Sequence, residues 1–308
     1  MNTPVPSDLL GEIYAGWASE MGQHPEMSLD LLRIVFDDWQ RATAEPSDVT
    51  YRQTTIGGVP GLLVTPLAAD AGQMLLFLHG GGFALGSSTS HRKLVGHLAK
   101  ACGTHAFLPD FRLAPEHPFP AGLEDSLSAY RALCAEGLEV TLAGDSAGGN
   151  IAIATALRLL DAGETPPAQV ITMSPWLNME NTGATLDSND ATDFLITREG
   201  LQGNIDRYLS GGADPTDPFV NPLYADLTGF PRLYICAGDV ESLFDDSVRL
   251  HSLAGKSDVD VTFSAGEGMQ HVFPFLAGRH ERADAEIAAI AAWYRAGRTS
   301  SPTNEKDA

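Results

Sequence analysis

The chain has 308 residues, 44% of them hydrophobic and 19% charged, the balance of an ordinary globular protein with room for one large α/β domain and an accessory segment. Asp and Glu outnumber Lys and Arg by 40 to 19, a formal charge of −21, which repels a phosphate backbone or an anionic membrane surface and excludes nucleic acid and membrane as partners. Three cysteines, Cys102, Cys134 and Cys236, show no CxxC or Cys/His spacing, so no metal site and no disulfide framework is expected, and reduced thiols fit best.

The opening stretch MNTPVPSDLLGEIYAGW has no basic segment leading into an apolar run, and the chain has no membrane-spanning apolar stretch, so a soluble cytoplasmic protein is expected. Residues 1–45 are rich in helix formers and carry a periodic apolar patch, LLRIVFDDW, at 31–39. Strand-like runs follow at 49–56 and 61–67. Their connection, IGGVPG, is too short for a helical crossover and predicts an antiparallel hairpin at a sheet edge.

From Met74 onward, strands and helices alternate. Strands are predicted at 74–79, 104–110, 139–144, 169–174, 232–238 and 259–265, with helices at 91–101, 122–135, 147–161, 242–253 and 281–296. That order gives an α/β fold, a mostly parallel sheet with helices on both faces. Residues 180–230 interrupt it with an Asn/Thr/Asp-rich loop, a helix at 198–209 and a Pro-spaced run. This insert suits either a lid over the strand ends or ordinary packing on the sheet. The tail from 298 to 308 is expected to be disordered.

Two motifs carry chemistry. Gly144-Asp145-Ser146-Ala147-Gly148 lies between a strand and a helix, where a sharp turn lifts a serine out of the chain and needs small residues two positions either side. The helix that follows aims its N-terminal N–H groups at whatever Ser146 attacks. His79-Gly80-Gly81-Gly82-Phe83, directly after a strand, leaves backbone N–H groups bare for charge on a tetrahedral intermediate. A serine nucleophile needs a base and the base an orienting acid. His271, after the last strand, is the candidate base, at the carboxyl edge shared with Ser146. The other eight histidines read as packed or solvated. Asp239, Glu241, Asp245 and Asp246 after the seventh strand are all candidate acids in the chain order serine, acid, histidine.

These residues give the chain a resemblance to the hormone-sensitive-lipase-like branch of the α/β-hydrolase fold, the bacterial family IV esterases. The resemblance spans roughly residues 48–297 and rests on the two glycine motifs, on Asp110-Phe-Arg-Leu-Ala-Pro-Glu-His-Pro-Phe-Pro-Ala121, on Ser174-Pro-Trp-Leu177 and on Met269-Gln-His271. The Asp110–Ala121 run reads as a proline-fixed scaffold loop. The resemblance implies an eight-stranded sheet and a cap built from residues 1–47 and from 180–230. It implies a cofactor-free serine hydrolase of short acyl esters, with Ser146 as nucleophile and His271 as base. The oxyanion donors would be the N–H of Ala147 and of two glycines, Gly81 and Gly82 in preference to Gly80. The usual family pattern at the acid, D-P-L-x-D-E, is Glu241-Ser-Leu-Phe-Asp-Asp246 here. Alignment on the leucine and the acidic pair puts Glu241 at the acid, with Asp239 as the alternative.

That Glu-x-Leu pattern is similar to monoterpene lactone hydrolases and keeps a lactone substrate open, as the shared chemistry keeps an amide or N-acyl substrate open. Phe83, Leu85 and Trp176 are candidates for the acyl pocket. The expected partner is a small-molecule ester, with a homodimer through the last strand and helix open by analogy. A small-molecule receptor on this fold would lack a triad member, and all three are present here.

Overall fold

A computed structural model describes residues 9–24 and 26–298. The start of the opening stretch and all but the first residue of the expected tail, 299–308, lie outside the described residues; Arg298 itself closes the last helix.

Eight strands form one sheet: β1 (Val49–Ile56), β2 (Val59–Pro66), β3 (Asp70–Leu78), β4 (Thr104–Pro109), β5 (Glu139–Asp145), β6 (Gln169–Met173), β7 (Arg232–Gly238) and β8 (Val261–Gly266), in the order β1-β2-β4-β3-β5-β6-β7-β8. β1 and β2 form the antiparallel edge hairpin, with Ile56 opposite Val59 across the pair Gly57-Gly58. Both glycines have positive φ, 58° and 81°, as a tight two-residue hairpin turn requires. β2 also runs antiparallel to β4, and every later pairing is parallel.

The central strands are buried along almost their whole length because helices cover both faces. On one face α4 (Ala121–Ala135), α5 (Ser146–Asp161) and α8 (Phe244–Lys256) supply Leu123, Ile151 and Leu250 to a core with Leu76 and Leu142. On the other, α3 (Ser88–Cys102) and α9 (Glu281–Arg298) supply Leu94 and Ile290 to a core with Phe77 and Ile171. α3 begins three residues before the predicted start because Ser87 caps it: its hydroxyl accepts from the N–H of Thr89 and Ser90, and the Ser90 hydroxyl reaches back to the N–H of Ser87.

Strand order places the site. From β3 the chain crosses to β4 on one side, then returns past β3 to β5 on the other, with Leu78 of β3 opposite Gly144 of β5. The loops leaving β3 and β5 therefore diverge from one point at the carboxyl edge, the position where open α/β sheets form their crevice. Above it sit α1 (Leu9–Gln23), α2 (Leu29–Asp37), the 3₁₀ turn at 38–42 and, from the insert after β6, α6 (Thr185–Ser188) and α7 (Arg198–Tyr208). Trp39 stacks on Phe275 with ring centres 4.4 Å apart and meets Tyr14 and Phe36 edge-on. Arg33 of α2 clamps Glu116 at 2.7 and 2.8 Å and also donates to the carbonyls of Ala84 and Ala114. No helix among the described residues is long and apolar enough to cross a membrane.

Candidate active site

Ser146 is the first residue of α5 and sits at φ +51°, a left-handed conformation that β-strand and α-helix residues avoid. The turn is sharp enough that a Cβ on Gly148 would overlap the Leu78 carbonyl, and one on Gly144 would overlap the Gly148 carbonyl. Nothing larger than glycine fits at either position. The first N–H groups of α5, Ala147 among them, have no intrahelical acceptor.

The glycine loop is tied to this elbow by Asp145. Its carboxylate is fully buried; Oδ1 accepts the Gly80 N–H at 3.0 Å, and the carboxylate takes the His91 Nε2–H at 3.2 Å. The Ser90 hydroxyl lies 2.8 Å from the other ring nitrogen of His91. Gly80 is thus committed to Asp145, while the N–H groups of Gly81 and Gly82 have no acceptor among the described residues and both residues line the cavity that holds Ser146. His79 donates its Nδ1–H to the Gly80 carbonyl at 2.8 Å and stacks on Phe111. Burial and the neighbouring His91 push its pKa down to about 3, so the ring stays neutral.

His271 is buried on the loop after β8 and lines the same cavity as Ser146. Its Nδ1 lies 3.5 Å from Glu241 Oε1. Burial pushes the imidazole pKa down, but the Glu241 carboxylate, helped by Asp193 and Asp145, outweighs it and leaves the pKa above the ordinary histidine value. Glu241 is fully buried, and its Oε2 accepts the Ser174 hydroxyl at 2.7 Å and the Gly238 N–H at 3.2 Å. The Ser174 hydroxyl in turn accepts the Val272 N–H at 2.9 Å. One serine therefore holds the carboxylate with its proton and the histidine loop with its lone pair. From the other side, the Tyr14 hydroxyl of α1 donates to the His271 carbonyl at 2.8 Å.

The other three carboxylates after β7 are engaged elsewhere. Asp239 accepts the Gly268 N–H at 2.6 Å and closes the turn after β8. Asp245 faces Arg249. Asp246 is buried and accepts the N–H groups of Leu177 and Asn178 at 2.7 and 2.9 Å; burial raises its pKa to about 6.

The cavity measures about 280 Å³. Leu29, Leu32 and Phe36 wall it from α2, and Gly200, Leu201, Asn204 and Arg207 from α7, so both segments outside the strand–helix alternation enclose it. Leu85 and Trp176 line it as well. Phe83 does not: its ring stacks on Tyr208 at 3.7 Å behind the cavity wall. Ser174, Asp145, His91 and Tyr14 were not singled out from the sequence as parts of this arrangement. Only Ser174 carried a signal, its place at the carboxyl end of a central strand within the Ser174–Leu177 motif. The others act across 50 residues or more of chain.

The family profile described as "alpha/beta hydrolase fold" matches residues 75–275. An acetyl-hydrolase of Streptomyces hygroscopicus is 40% identical over 248 residues, 78% of this chain and 81% of that one. An esterase of Acinetobacter venetianus is 36% identical over 263 residues, 84% of this chain and 86% of that one. The crystal structure of an esterase from the bacterial hormone-sensitive lipase family superposes with a TM-score of 0.89 at 33% identity, covering 95% of this chain and 99% of the other. With its elbow, glycine loop and carboxyl-edge cavity on such a sheet, the chain belongs to the α/β-hydrolase fold family, in the hormone-sensitive-lipase-like branch of esterases.

Proposed function

We propose that the protein is a carboxylic ester hydrolase that cleaves short-chain acyl esters through an acyl-enzyme on Ser146. The observation that carries this reading is the meeting of Ser146, His271 and the N–H groups of Gly81 and Gly82 at one cavity, with Glu241 held behind the histidine. A cavity of about 280 Å³ lies at the small end for a ligand site and suits a short acyl group.

In the first step Ser146 Oγ attacks the ester carbonyl as His271 takes its proton. The carbonyl oxygen becomes an oxyanion facing the N–H groups of Gly81, Gly82 and Ala147, donors that are in place before the reaction starts. His271 gives the proton to the departing alcohol. Water then enters, loses a proton to His271 and displaces Ser146 from the acyl group, returning the serine its proton. Glu241 keeps the imidazole proton on Nδ1 and stabilises the charged ring that forms in each step.

The test is a panel of p-nitrophenyl esters from acetate to palmitate together with lactones, run on wild type and on Ser146→Ala. Acetate comes first because one relative is named an acetyl-hydrolase. Expected is turnover that falls with acyl length beyond the short chains and is lost by at least a thousandfold in Ser146→Ala. Retained turnover in that variant would remove Ser146 as nucleophile.

A further inference from the structure

The walls of the cavity are apolar except at the reacting groups and along α7, where Asn204 and Arg207 line it beyond Thr197, the residue that caps the helix. Arg207 is the one residue with a permanent charge among the described residues that line the cavity. Its guanidinium donates to Asn204 Oδ1 at 3.0 Å and forms no ion pair among the described residues. That is unexpected in a chain with 40 acidic side chains to 19 basic ones. Arg198, at the start of the same helix, pairs with Asp187, and the adjoining Asp206 turns away to accept from Gln202 at 2.8 Å. No acidic residue lines the cavity among the described residues.

Arg207 also settles the orientation of Asn204. A guanidinium only donates, so the amide oxygen must face it and the NH₂ must face the other way. The NH₂ lies against Gly82, so closely that a Cβ on that glycine would overlap Asn204 Nδ2. This Nδ2 has no acceptor among the described residues. The pair presents a row of unused donors, amide then guanidinium, leading away from the glycine loop.

We propose that Asn204 and Arg207 form an anion subsite, and that the preferred substrate is an ester carrying a second oxygen-rich group, a carboxylate, that Arg207 neutralises. The proposal rests on the assignment of the ester bond to Ser146. The chain's overall charge of −21 repels such a substrate at long range. A cation on a largely apolar wall offsets that repulsion at contact, where the charges lie well within a Debye length. A charge-assisted contact of this kind is worth roughly 10- to 100-fold in binding.

Two pairs of esters, each matched in size, read the subsite. Mono-p-nitrophenyl glutarate against p-nitrophenyl valerate places the carboxylate on the acid side. 4-Acetoxybenzoate against 4-methylphenyl acetate places it on the alcohol side. In at least one pair, Arg207→Gln is expected to lower the ratio of kcat/KM, anionic over neutral, at least tenfold, mainly through KM. Arg207→Lys, which keeps the charge, should retain most of the ratio. Equal losses on both members of both pairs, or no change in either ratio, would overturn the proposal.

A binding measurement separates this from the assignment of Ser146. Glutaric acid monoanilide is titrated calorimetrically into Ser146→Ala and into Ser146→Ala with Arg207→Gln. At least tenfold weaker binding in the double variant supports the subsite whatever the nucleophile, and equal binding refutes an acid-side carboxylate. The same comparison with 4-acetamidobenzoate reads the alcohol side, and equal binding of both compounds refutes the subsite.

Discussion

Replacing Glu241 with glutamine tests the acid assignment most sharply, because the change keeps size and removes the charge together with one of the two acceptor oxygens. The carboxylate and the His271 ring are both buried and 3.5 Å apart. At an effective dielectric of about 20, a unit pair at this range is worth about 4 kcal/mol to the imidazolium formed in the transition state. At 1.36 kcal/mol per tenfold, kcat should fall roughly a thousandfold. KM should move little, since Glu241 does not line the cavity. The pH profile gives a second readout with a fixed sign. His271 must be neutral to act as base, and its pKa stands above the ordinary value because Glu241 outweighs burial. With that charge gone burial prevails, the ring loses its proton at lower pH, and the acidic limb of kcat/KM moves to lower pH. The assay is p-nitrophenyl butyrate hydrolysis from pH 5 to 9. A kcat within tenfold of wild type, or an equal loss in Asp239→Asn, would refute the reasoning.

Ser174→Ala strips the hydroxyl that joins Glu241 to the Val272 N–H; it should cost about 1–3 kcal/mol in a denaturant titration and lower kcat roughly 10- to 100-fold at nearly constant KM. A large rise in KM instead would place Ser174 in substrate binding. Gly148→Ala drives a methyl into the Leu78 and His79 carbonyls and should cost about 3 kcal/mol or more, read as a fall in Tm or a loss of folded yield. A wild-type Tm would mean that the elbow is looser than its geometry.

Much of the fold was legible because the signals are local. β1 and β7 match the predicted runs residue for residue, and the Gly57-Gly58 turn announces its hairpin. The elbow and glycine loop were legible for the same reason, since each is a backbone requirement written into consecutive residues. The acid was not, at the level of residues. Four carboxylates within eight positions look alike residue by residue, and only the family alignment favours Glu241; the backbone after β7 then sends Asp239 to a turn, Asp246 to two N–H groups and Glu241 toward His271. The grip of Asp145 on Gly80 and His91 depends on β3 lying beside β5, which no local pattern reveals. Phe83 reads as a pocket residue because it follows the glycine loop. Its positive φ of 62° turns the ring onto Tyr208 of α7, a partner supplied by the insert.

The helix α2 has no fully buried residue, and Leu31 and Ile34 on its outer side are 46% and 68% exposed. Of its inner apolar residues, Leu29 and Leu32 face the cavity, and Phe36 both lines it and packs on Trp39 and Trp17. A ligand in the cavity would therefore add to the packing that holds this helix. Ligand occupancy and the closed position of α2 would then stabilise each other, two readings of one linked equilibrium.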